Sequence, residues 1–329
     1  MAAAPHLVYP RLMYSGSVAV IGGGAWGLAL SAAATRTGTA AFIHSRRPLK
    51  DHLPKGVEQL TELADVAKRA RVIVLATPSE VAREVAKRLG DVVDGRHLLV
   101  HGVRGLEGEA LTPISQVLRE ETPARRVGAL GGPVLSEDLL AGKPSVLVCG
   151  SHFPEVNEAI TKAFGSATLR IYATSDLTGL EWASALVGCL AIGVGYAQEL
   201  GINAGLVAAL ISRGVEEAGR VAAAAGGQER TLLGLAGYGD LLASISQSER
   251  PEVLVGAALA RGKTVEEAVK VAKLRVEAVD LLPRIASWIE ERGVTAPIFR
   301  ALAGSLLTSS RSPEAIIHEL MTSPIQKLA

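Results

Sequence analysis

The sequence is poor in cysteine, with only Cys149 and Cys189 among 329 residues. Two cysteines are too few for a disulfide framework, and their spacing matches no metal site. A reducing compartment is therefore expected, and the cytoplasm is the simplest one. The chain also lacks an excess of either charge, because 34 basic side chains face 33 acidic ones. This balance argues against nucleic acid as a partner and favours a small-molecule substrate.

Targeting signals and a full-length membrane span are missing as well. The first fifteen residues have neither a basic start nor a continuous apolar core, and we interpret 1–15 as an N-terminal extension. The apolar run WASALVGCLAIGVGYA (182–197) is somewhat shorter than the roughly 20 residues that a span needs, and Glu181 and Glu199 flank it. We interpret this run as a buried helix rather than a membrane span.

Strand-like runs alternate with helical patterns in the first half of the chain. These runs lie at residues 17–21, 40–47, 71–79, 97–105, 127–133, 144–151 and 169–176. The alternation predicts an α/β domain of the Rossmann type over 16–176, with a mostly parallel, doubly wound sheet. From residue 177 onward only helical patterns follow, which predicts an all-α domain over 177–329 for substrate binding and dimerisation. The helical patterns span 177–199, 203–225, 229–246, 250–261, 264–291, 295–308 and 312–321.

The first strand is followed by the glycine-rich run GGGAWG (22–27), which fits G-x-G-x-x-G. Gly22 permits a tight turn, Gly24 lets the backbone approach a pyrophosphate, and Gly27 lets helix and strand pack closely. Trp26 lies in the same run. Because the run joins a strand to a helix, it predicts a dinucleotide site at the positive end of that helix.

The end of the second strand bears on which dinucleotide is bound. Folds that prefer NAD usually carry an acid there, whereas this chain has Arg46 and Arg47, whose guanidinium groups suit a 2′-phosphate. NADP(H) is therefore favoured, with NAD(H) as the alternative; both arginines are otherwise solvated surface charges. Thr77, at the end of a neighbouring strand, is expected to border the cofactor.

The chain resembles the bacterial NAD(P)-dependent glycerol-3-phosphate dehydrogenases over nearly its whole length. The segments that carry this resemblance include VIGGGAWGLAL, VIVLATPS, RGLEGE, GGPVLSEDLLAGKPS, IYATSDLTGLEWASAL and LLGLAGYGDLL. It implies a Rossmann domain followed by a helical domain, an active site in the cleft between them, and a homodimer. It also implies hydride transfer between a nicotinamide and dihydroxyacetone phosphate or glycerol 3-phosphate.

Two departures from the family pattern fall where the resemblance places the reacting groups. Ungapped alignment puts Val187 and Gly188 where the family has an active-site lysine followed by asparagine. The family's Ser-Arg-Asn run, which holds the substrate phosphate, corresponds to Arg250, Pro251 and Glu252. The sequence therefore predicts that the ammonium group is missing and that a carboxylate has entered the phosphate site.

Other site residues carry over from the family. Asp240 matches its active-site aspartate, with capping of the next helix as the alternative, and Arg104 replaces a lysine while keeping the charge. Gly132 matches a substrate contact, with a tight turn as the alternative. Arg250 keeps one positive charge for the substrate. Glu277 matches a glutamate that contacts the cofactor, although a helix-surface role fits equally well.

Three functions remain open from the sequence. The first is a glycerol-3-phosphate dehydrogenase with altered or weakened activity, and the second is a reductase of another small carbonyl or imine compound. The third is a sensor or partner subunit that binds NADP(H) without turnover. His101, late in the strand before Arg104, is a candidate proton donor, although a lone histidine more often serves packing.

Overall fold

The structure, a computed structural model, describes residues 16–50 and 52–307. Eight strands form one sheet in these residues, and the central ones are fully buried. The strands are β1 (Ser17–Ile21), β2 (Ala40–His44), β3 (Val57–Leu60), β4 (Val72–Leu75), β5 (Leu98–His101), β6 (Arg126–Gly131), β7 (Ser145–Gly150) and β8 (Leu169–Thr174).

The strand order is β3-β2-β1-β4-β5-β6-β7-β8. All neighbouring pairs are parallel except β6 and β7, which run antiparallel. The order reverses between β1 and β4, the switch point at which open α/β sheets bind ligands beyond the carboxyl ends of their strands. The predicted mostly parallel, doubly wound sheet is confirmed.

Helices cover both faces of this sheet because its strands are apolar on both sides. These helices are α1 (Ala25–Arg36), α2 (Leu63–Arg69), α3 (Ala82–Gly90), α4 (Ile114–Glu121), α5 (Ser136–Ala141) and α6 (Pro154–Phe164). The strand β3 was missed by the sequence analysis. Its four residues, VEQL, carry two polar side chains and lie at the sheet edge, so no apolar run marks them.

The apolar run that could be mistaken for a membrane span forms the helix α7 (Leu177–Glu199). Within the described residues it is the one helix long and apolar enough for a span by length and composition, yet 94% of its most apolar window is buried in the protein. Trp182 stacks at a tilt on Trp288, with ring centroids 4.8 Å apart. The prediction of a buried core helix is confirmed.

Helices alone follow α7 in the described chain. They are α8 (Ala204–Ala224), α9 (Glu229–Leu233), α10 (Asp240–Ile245), α11 (Pro251–Ala260), α12 (Val265–Ala272), α13 (Glu277–Glu291) and α14 (Pro297–Leu307). The helical fold after residue 176 is confirmed in these residues. The domain boundaries themselves stay a prediction, and both the extension 1–15 and the helix predicted at 312–321 lie outside the described residues.

Two of the predicted helices are broken in the structure. Residues 264–291 divide into α12 and α13 because Lys273 adopts a left-handed conformation, with φ of 54°. Residues 229–246 are interrupted by a π-helical turn, Leu235–Gly239, that leads directly into α10. Single π-turns often occur at functional sites, because they change the direction in which the next side chain points.

A buried carboxylate joins two helices of the C-terminal half. Glu217 on α8 is 1% exposed and accepts hydrogen bonds from the backbone N–H groups of Ile298, at 2.8 Å, and Phe299, at 3.4 Å. It thereby caps the amino end of α14. Burial raises the pKa of Glu217 from its ordinary 4.5 to about 7, although the two N–H groups oppose this shift.

The raised pKa of Glu217 predicts a pH-dependent stability. Between the ordinary pKa and about 7 the folded protein binds more protons than the unfolded chain, so the free energy of unfolding falls as pH rises through this window. Glu217→Gln should remove up to about 3 kcal/mol of that decrease, since one pKa unit corresponds to about 1.4 kcal/mol. Urea unfolding at about pH 5 and about pH 8 measures the difference.

The matched control is Glu216→Gln, one residue earlier on the same helix, where the side chain is 47% exposed and pairs with Arg213 and Arg220. This variant should keep the wild-type dependence on pH. An equal pH dependence in Glu217→Gln and wild type would contradict the assignment to Glu217.

Candidate functional site

The turn between β1 and α1 requires glycine at two positions. Gly22 has a φ of +131°, and a Cβ there would overlap the carbonyl oxygen of Ala76. A Cβ at Gly27 would overlap the carbonyl oxygen of Gly22. The turn therefore lies tightly against the end of β4, and α1 packs closely on it.

Gly24, between these two, has a different role. A Cβ at Gly24 would have no atom within 4 Å, and its φ of −82° is open to any residue. Gly24 is exposed, and as N-cap of the 12-residue helix α1 it provides no side-chain hydrogen bond to the first N–H groups. Free N–H groups and the positive end of a helix dipole suit an anion such as a pyrophosphate.

Buried polar atoms without partners lie around this turn. The indole Nε1 of Trp26 and the hydroxyl of Thr77 have no hydrogen bond among the described residues. Trp26 covers Gly102, at the end of β5, where a Cβ would overlap the indole nitrogen. Buried polar atoms in folded proteins are normally paired, so these atoms indicate places for a ligand. The residues present therefore fit a dinucleotide.

Glu277, at the start of α13, reaches the same edge from the helical half. Its Oε1 accepts a hydrogen bond from the N–H of Ser79 at 2.9 Å, while Oε2 is buried without a partner. A Cβ at Gly105 would overlap this Oε2. Glu277 therefore contacts the Rossmann half instead of lying on an open helix surface, and its role toward a cofactor stays a prediction.

Arg46 and Arg47 follow β2 and are both exposed. No carboxylate pairs with either guanidinium group among residues 16–50 and 52–307. His44 precedes them, bonded through its Nε2 to the carbonyl oxygen of Thr61 at 3.0 Å. The two arginines are thus free to meet a phosphate, as the sequence predicted, although solvated charges would look the same.

Arg104 and Asp240 form an ion pair between the two halves of the chain. The guanidinium Nη2 of Arg104 donates to Oδ1 of Asp240 at 2.7 Å. Asp240 is 1% exposed and begins α10 directly after the π-helical turn. Its carboxylate bonds no backbone N–H at that helix end, so helix capping is not its role. The structure brings together both residues predicted to be catalytic.

A second ion pair lies beside the first. Arg250, the N-cap residue of α11, and Glu252, in the first turn of that helix, approach to 3.2 Å between Nε and Oε2. Their side chains are 16% and 14% exposed. The two atoms lack the alignment of a hydrogen bond and have no other partner in the described chain. We call Arg104, Asp240, Arg250 and Glu252 the charge cluster.

The four groups of the charge cluster act on one another's pKa values. Burial raises the pKa of Asp240, against the effect of Arg104 and Arg250. Burial would lower the pKa of Arg104, but Asp240 and Glu252 outweigh it, and the net shift is upward. Burial and the charge of Arg104 lower the pKa of Arg250. The cluster therefore contains two cations and two carboxyl groups within electrostatic reach of one another.

Val187 and Gly188 lie on the buried side of α7. Val187 is 1% exposed and belongs to the apolar core. A Cβ at Gly188 would meet Ala278 at 3.2 Å and Oε1 of Glu252 at 4.0 Å. Because Gly188 has no side chain, it does not fill the space next to the Glu252 carboxylate. Glu252 is consequently close to Gly188, the position at which the resemblance predicts that an asparagine is missing.

Gly132 and His101 are the remaining candidates. Gly132 directly follows β6, has a φ of +95°, and a Cβ there would be 3.0 Å from Cγ2 of Val148, so a turn that favours glycine is present; its role toward a substrate stays a prediction. His101 is 1% exposed and bonds Oε1 of Glu181 at 2.9 Å. This hydrogen bond engages Nε2 of His101 and joins β5 to α7.

The sequence analysis did not find the network around Glu181. Its Oε1 accepts from the N–H of Ser115 at 2.8 Å, and its Oε2 accepts from the Ser115 hydroxyl at 2.7 Å. Ser115 is on α4, so Glu181 links three elements. A charged residue inside the apolar pattern of α7 was the available signal, but the pattern could not identify partners 66 and 80 residues away. Ser244, whose buried hydroxyl has no partner in the described chain, was also missed.

The chain is similar to known proteins over most of its length. The family model described as "NAD-dependent glycerol-3-phosphate dehydrogenase N-terminus" matches residues 44–157, and the corresponding C-terminus model matches residues 176–318. The glycerol-3-phosphate dehydrogenase [NAD(P)+] of Gluconobacter oxydans is 32% identical over 93% of this chain and 97% of its own length. The Azotobacter vinelandii protein of the same name is 31% identical, over 93% and 94%.

The chain belongs to the NAD-dependent glycerol-3-phosphate dehydrogenase family. Solved structures share the fold of the chain. The glycerol-3-phosphate dehydrogenase of Coxiella burnetii has a TM-score of 0.85 at 23% identity and covers 93% of this chain and 98% of its own. The Plasmodium falciparum enzyme has a TM-score of 0.84 at 16% identity, over 94% and 96%. At these identities the structural likeness establishes the fold.

The open space at Gly24 leads to a prediction about the glycine turn of this family member. Gly24→Ala should lower the free energy of unfolding by no more than about 1 kcal/mol, because alanine is a poorer N-cap residue than glycine but the added methyl group meets no atom of the protein. The methyl group should instead block a pyrophosphate at the helix end and raise the Kd for NADPH by about tenfold or more. Fluorescence titration with NADPH measures this.

Gly95→Ala is the matched control, because a Cβ at Gly95 also has no atom within 4 Å and this exposed glycine lies in the connection between α3 and β5. It should change neither stability nor NADPH affinity. Unchanged NADPH binding by Gly24→Ala would show that no phosphate lies at this turn.

Proposed function

We propose that this chain is an NAD(P)-dependent oxidoreductase that reduces a small hydroxy ketone by hydride transfer, with weakened turnover of dihydroxyacetone phosphate and glycerol 3-phosphate. The observation that carries this proposal is the ion pair between half-buried Arg104 and buried Asp240, 2.7 Å apart. Arg104 follows the carboxyl end of β5, and Trp26 of the glycine turn covers Gly102, between that strand and Arg104. Ligands in open α/β sheets bind at that edge.

The residues proposed to hold the dinucleotide are those of the glycine turn, Gly22, Gly24, Trp26 and Gly27, together with Thr77. When bound, the nicotinamide supplies the hydride. The unpaired indole N–H of Trp26 and the unpaired hydroxyl of Thr77 support this assignment, as does the uncapped amino end of α1. The second unpaired oxygen of Glu277 is assigned to the same ligand.

Arg104 is proposed to stabilise the negative charge that develops on the carbonyl oxygen when the carbonyl carbon receives the hydride. Its Nη1 is buried and has no hydrogen-bond partner in the described chain, so one N–H remains to point at that oxygen. Asp240 orients the guanidinium through the other nitrogen. A guanidinium does not release a proton at neutral pH, so the proton that completes the alcohol comes from water.

The weakened turnover follows from the same chemistry. A positioned acid that transfers a proton typically contributes about 10²- to 10⁴-fold in rate. Val187 has no proton to give, and the buried His101 is engaged with Glu181. A carboxylate about 4 Å from a dianionic phosphate costs roughly 1 to 4 kcal/mol per charge pair, which also disfavours a phosphate ester beside Glu252.

The remaining expectations belong to this proposal. The division into a nucleotide-binding domain, 16–176, and a helical substrate domain, 177–329, agrees with the last strand ending at Thr174 and α7 beginning at Leu177. A homodimer and a cytoplasmic location stay predictions. A protein that binds NADP(H) without turnover is the second candidate, supported by the apolar Val187.

Turnover of dihydroxyacetone phosphate tests the proposed function. We expect wild-type protein to bind NADPH and to oxidise it slowly, at least about a hundredfold below the Val187→Lys, Gly188→Asn double variant, because that variant introduces a proton donor. Loss of NADPH absorbance measures the rate. Circular dichroism and NADPH titration establish first that the variant is folded.

Wild-type turnover equal to or above that of a folded double variant would contradict the assignment of a weakened site. NADPH binding without oxidation, for every small ketone tried, would instead favour the sensor.

Arg46 and Arg47 predict a preference for NADPH over NADH. The double variant Arg46→Ala, Arg47→Ala should raise the Kd for NADPH by about tenfold or more and change the Kd for NADH little, since only NADPH carries the 2′-phosphate. Titration with both dinucleotides measures the ratio. Arg125→Ala, an exposed arginine just before the amino end of β6, is the control and should change neither value. Equal weakening of both dinucleotides would show that the arginines do not read the 2′-phosphate.

A further inference from the structure

The charge cluster has no net charge when its four groups are ionised. Arg104 and Arg250 provide two positive charges, and Asp240 and Glu252 provide two negative ones. All four groups are within electrostatic reach of one another, as the coupling of their pKa values shows. A ligand bound against the cluster therefore meets attraction and repulsion in equal number, whichever charge it carries.

Each member of the cluster also has a polar atom without a hydrogen bond. The donor Nη1 of Arg104 and the acceptor Oδ2 of Asp240 have no partner in the described chain. Nε of Arg250 and Oε2 of Glu252 face each other at 3.2 Å as an ion pair, without the alignment of a hydrogen bond. The buried hydroxyl of Ser244 on α10 is also unpaired. Buried polar groups lower the free energy of the protein when a partner satisfies them. The partner that suits this set has both donors and acceptors, closely spaced.

Hydroxyl groups meet that requirement, because each donates one hydrogen bond and accepts others. In a hydroxy ketone, the hydroxyls can donate to Asp240 and Glu252, and the oxygen atoms can accept from Arg104 and Arg250. A phosphate dianion has acceptors alone, so it would satisfy the two arginines and leave both carboxylates unpaired and repelled.

The expected preference for hydroxyl groups depends on the residues around Glu252 as well as on Glu252 itself. Gly188 on α7 is the residue beside its carboxylate, with 4.0 Å between a Cβ built there and Oε1. Ala278 of α13 lies 3.2 Å from the same point. A larger residue at 188 would take up the space next to the Glu252 carboxylate. The absence of a side chain at 188 and the carboxylate at 252 therefore fit each other.

From these observations, and resting on the function proposed above, we propose that the charge cluster binds an uncharged polyhydroxy carbonyl compound in preference to a phosphate ester. Hydride transfer to such a compound forms one C–H bond and converts the carbonyl to an alcohol. The oxygen takes a proton from water, and NAD(P)H is oxidised to NAD(P)+.

Equilibrium binding tests this preference without requiring turnover. Wild-type protein saturated with NADP+ is titrated with dihydroxyacetone, with dihydroxyacetone phosphate and with serine, which represents a zwitterion, by ligand-observed NMR. Dihydroxyacetone should bind about tenfold or more tightly than its phosphate ester. This comparison of three probes on one protein needs no variant to fold.

Two matched variants assign the preference to Glu252. Glu252→Gln keeps the shape and removes the charge, and should improve the affinity for dihydroxyacetone phosphate relative to dihydroxyacetone by about tenfold. Glu249→Gln removes the same charge from an exposed residue three positions earlier and should leave the ratio unchanged. Circular dichroism and NADPH titration check that both variants are folded.

Several outcomes would overturn the proposal. Tighter binding of the phosphate ester by wild type would do so, and tighter binding of serine would identify a zwitterion as the ligand. Binding of no probe would show that the cluster is a closed internal salt-bridge network. If folded Glu252→Gln has the same ratio of affinities for dihydroxyacetone and its phosphate ester as wild type, the preference does not depend on Glu252.

The failure of this inference is distinguishable from failure of the proposed function. If NADPH binds and dihydroxyacetone binds but is not reduced, hydride transfer is wrong and the ligand preference stands. If the phosphate ester binds more tightly and is reduced, hydride transfer stands and the preference is wrong.

Discussion

The ion pair between Arg104 and Asp240 is the interaction on which the arrangement of the cleft depends. Asp240 is 1% exposed, and a carboxylate buried to that extent needs a partner, which the Arg104 guanidinium provides here. The partner comes from the end of the parallel sheet, 136 residues earlier in the chain. The two halves of the protein must therefore meet at this point, and the π-helical turn before α10 directs the carboxylate toward the sheet.

The requirement that buried charges be paired also explains why the departures from the family pattern at Glu252, Arg250 and Gly188 occur together. Once Glu252 lies beside Asp240, the two carboxylates repel each other, and Arg250 compensates from the same turn of α11. Gly188 leaves room at the surface of α7 next to Glu252. These residues form one electrostatic unit without net charge. Membership in the family and the proposed ligand preference of the charge cluster are therefore separate properties. Membership in the family rests on the whole chain, whereas the pocket depends on a few side chains.

Several features of the fold were predictable because they are local. The apolar strands β1, β4 and β5 and the glycine turn after β1 follow from periodicity and from the conformations that only glycine permits. The edge strand β3 was not predictable, since half of VEQL is polar and no apolar run marks it. Its extended conformation depends on its hydrogen bonds to β2. The break before α13 was also missed, because a left-handed lysine at 273 carries no sequence signal comparable to glycine.

The sequence by itself determined the Rossmann topology, the buried character of α7, the candidate dinucleotide turn, and the identity of the residues at 187, 188, 250 and 252. Only the tertiary structure decided which charges meet. It paired Arg104 with Asp240, engaged His101 with Glu181, and left one polar atom of each cluster member without a hydrogen bond. The physical reason is that secondary structure and turns depend on neighbours in the chain, while the pairing of buried charges depends on the packing of distant elements.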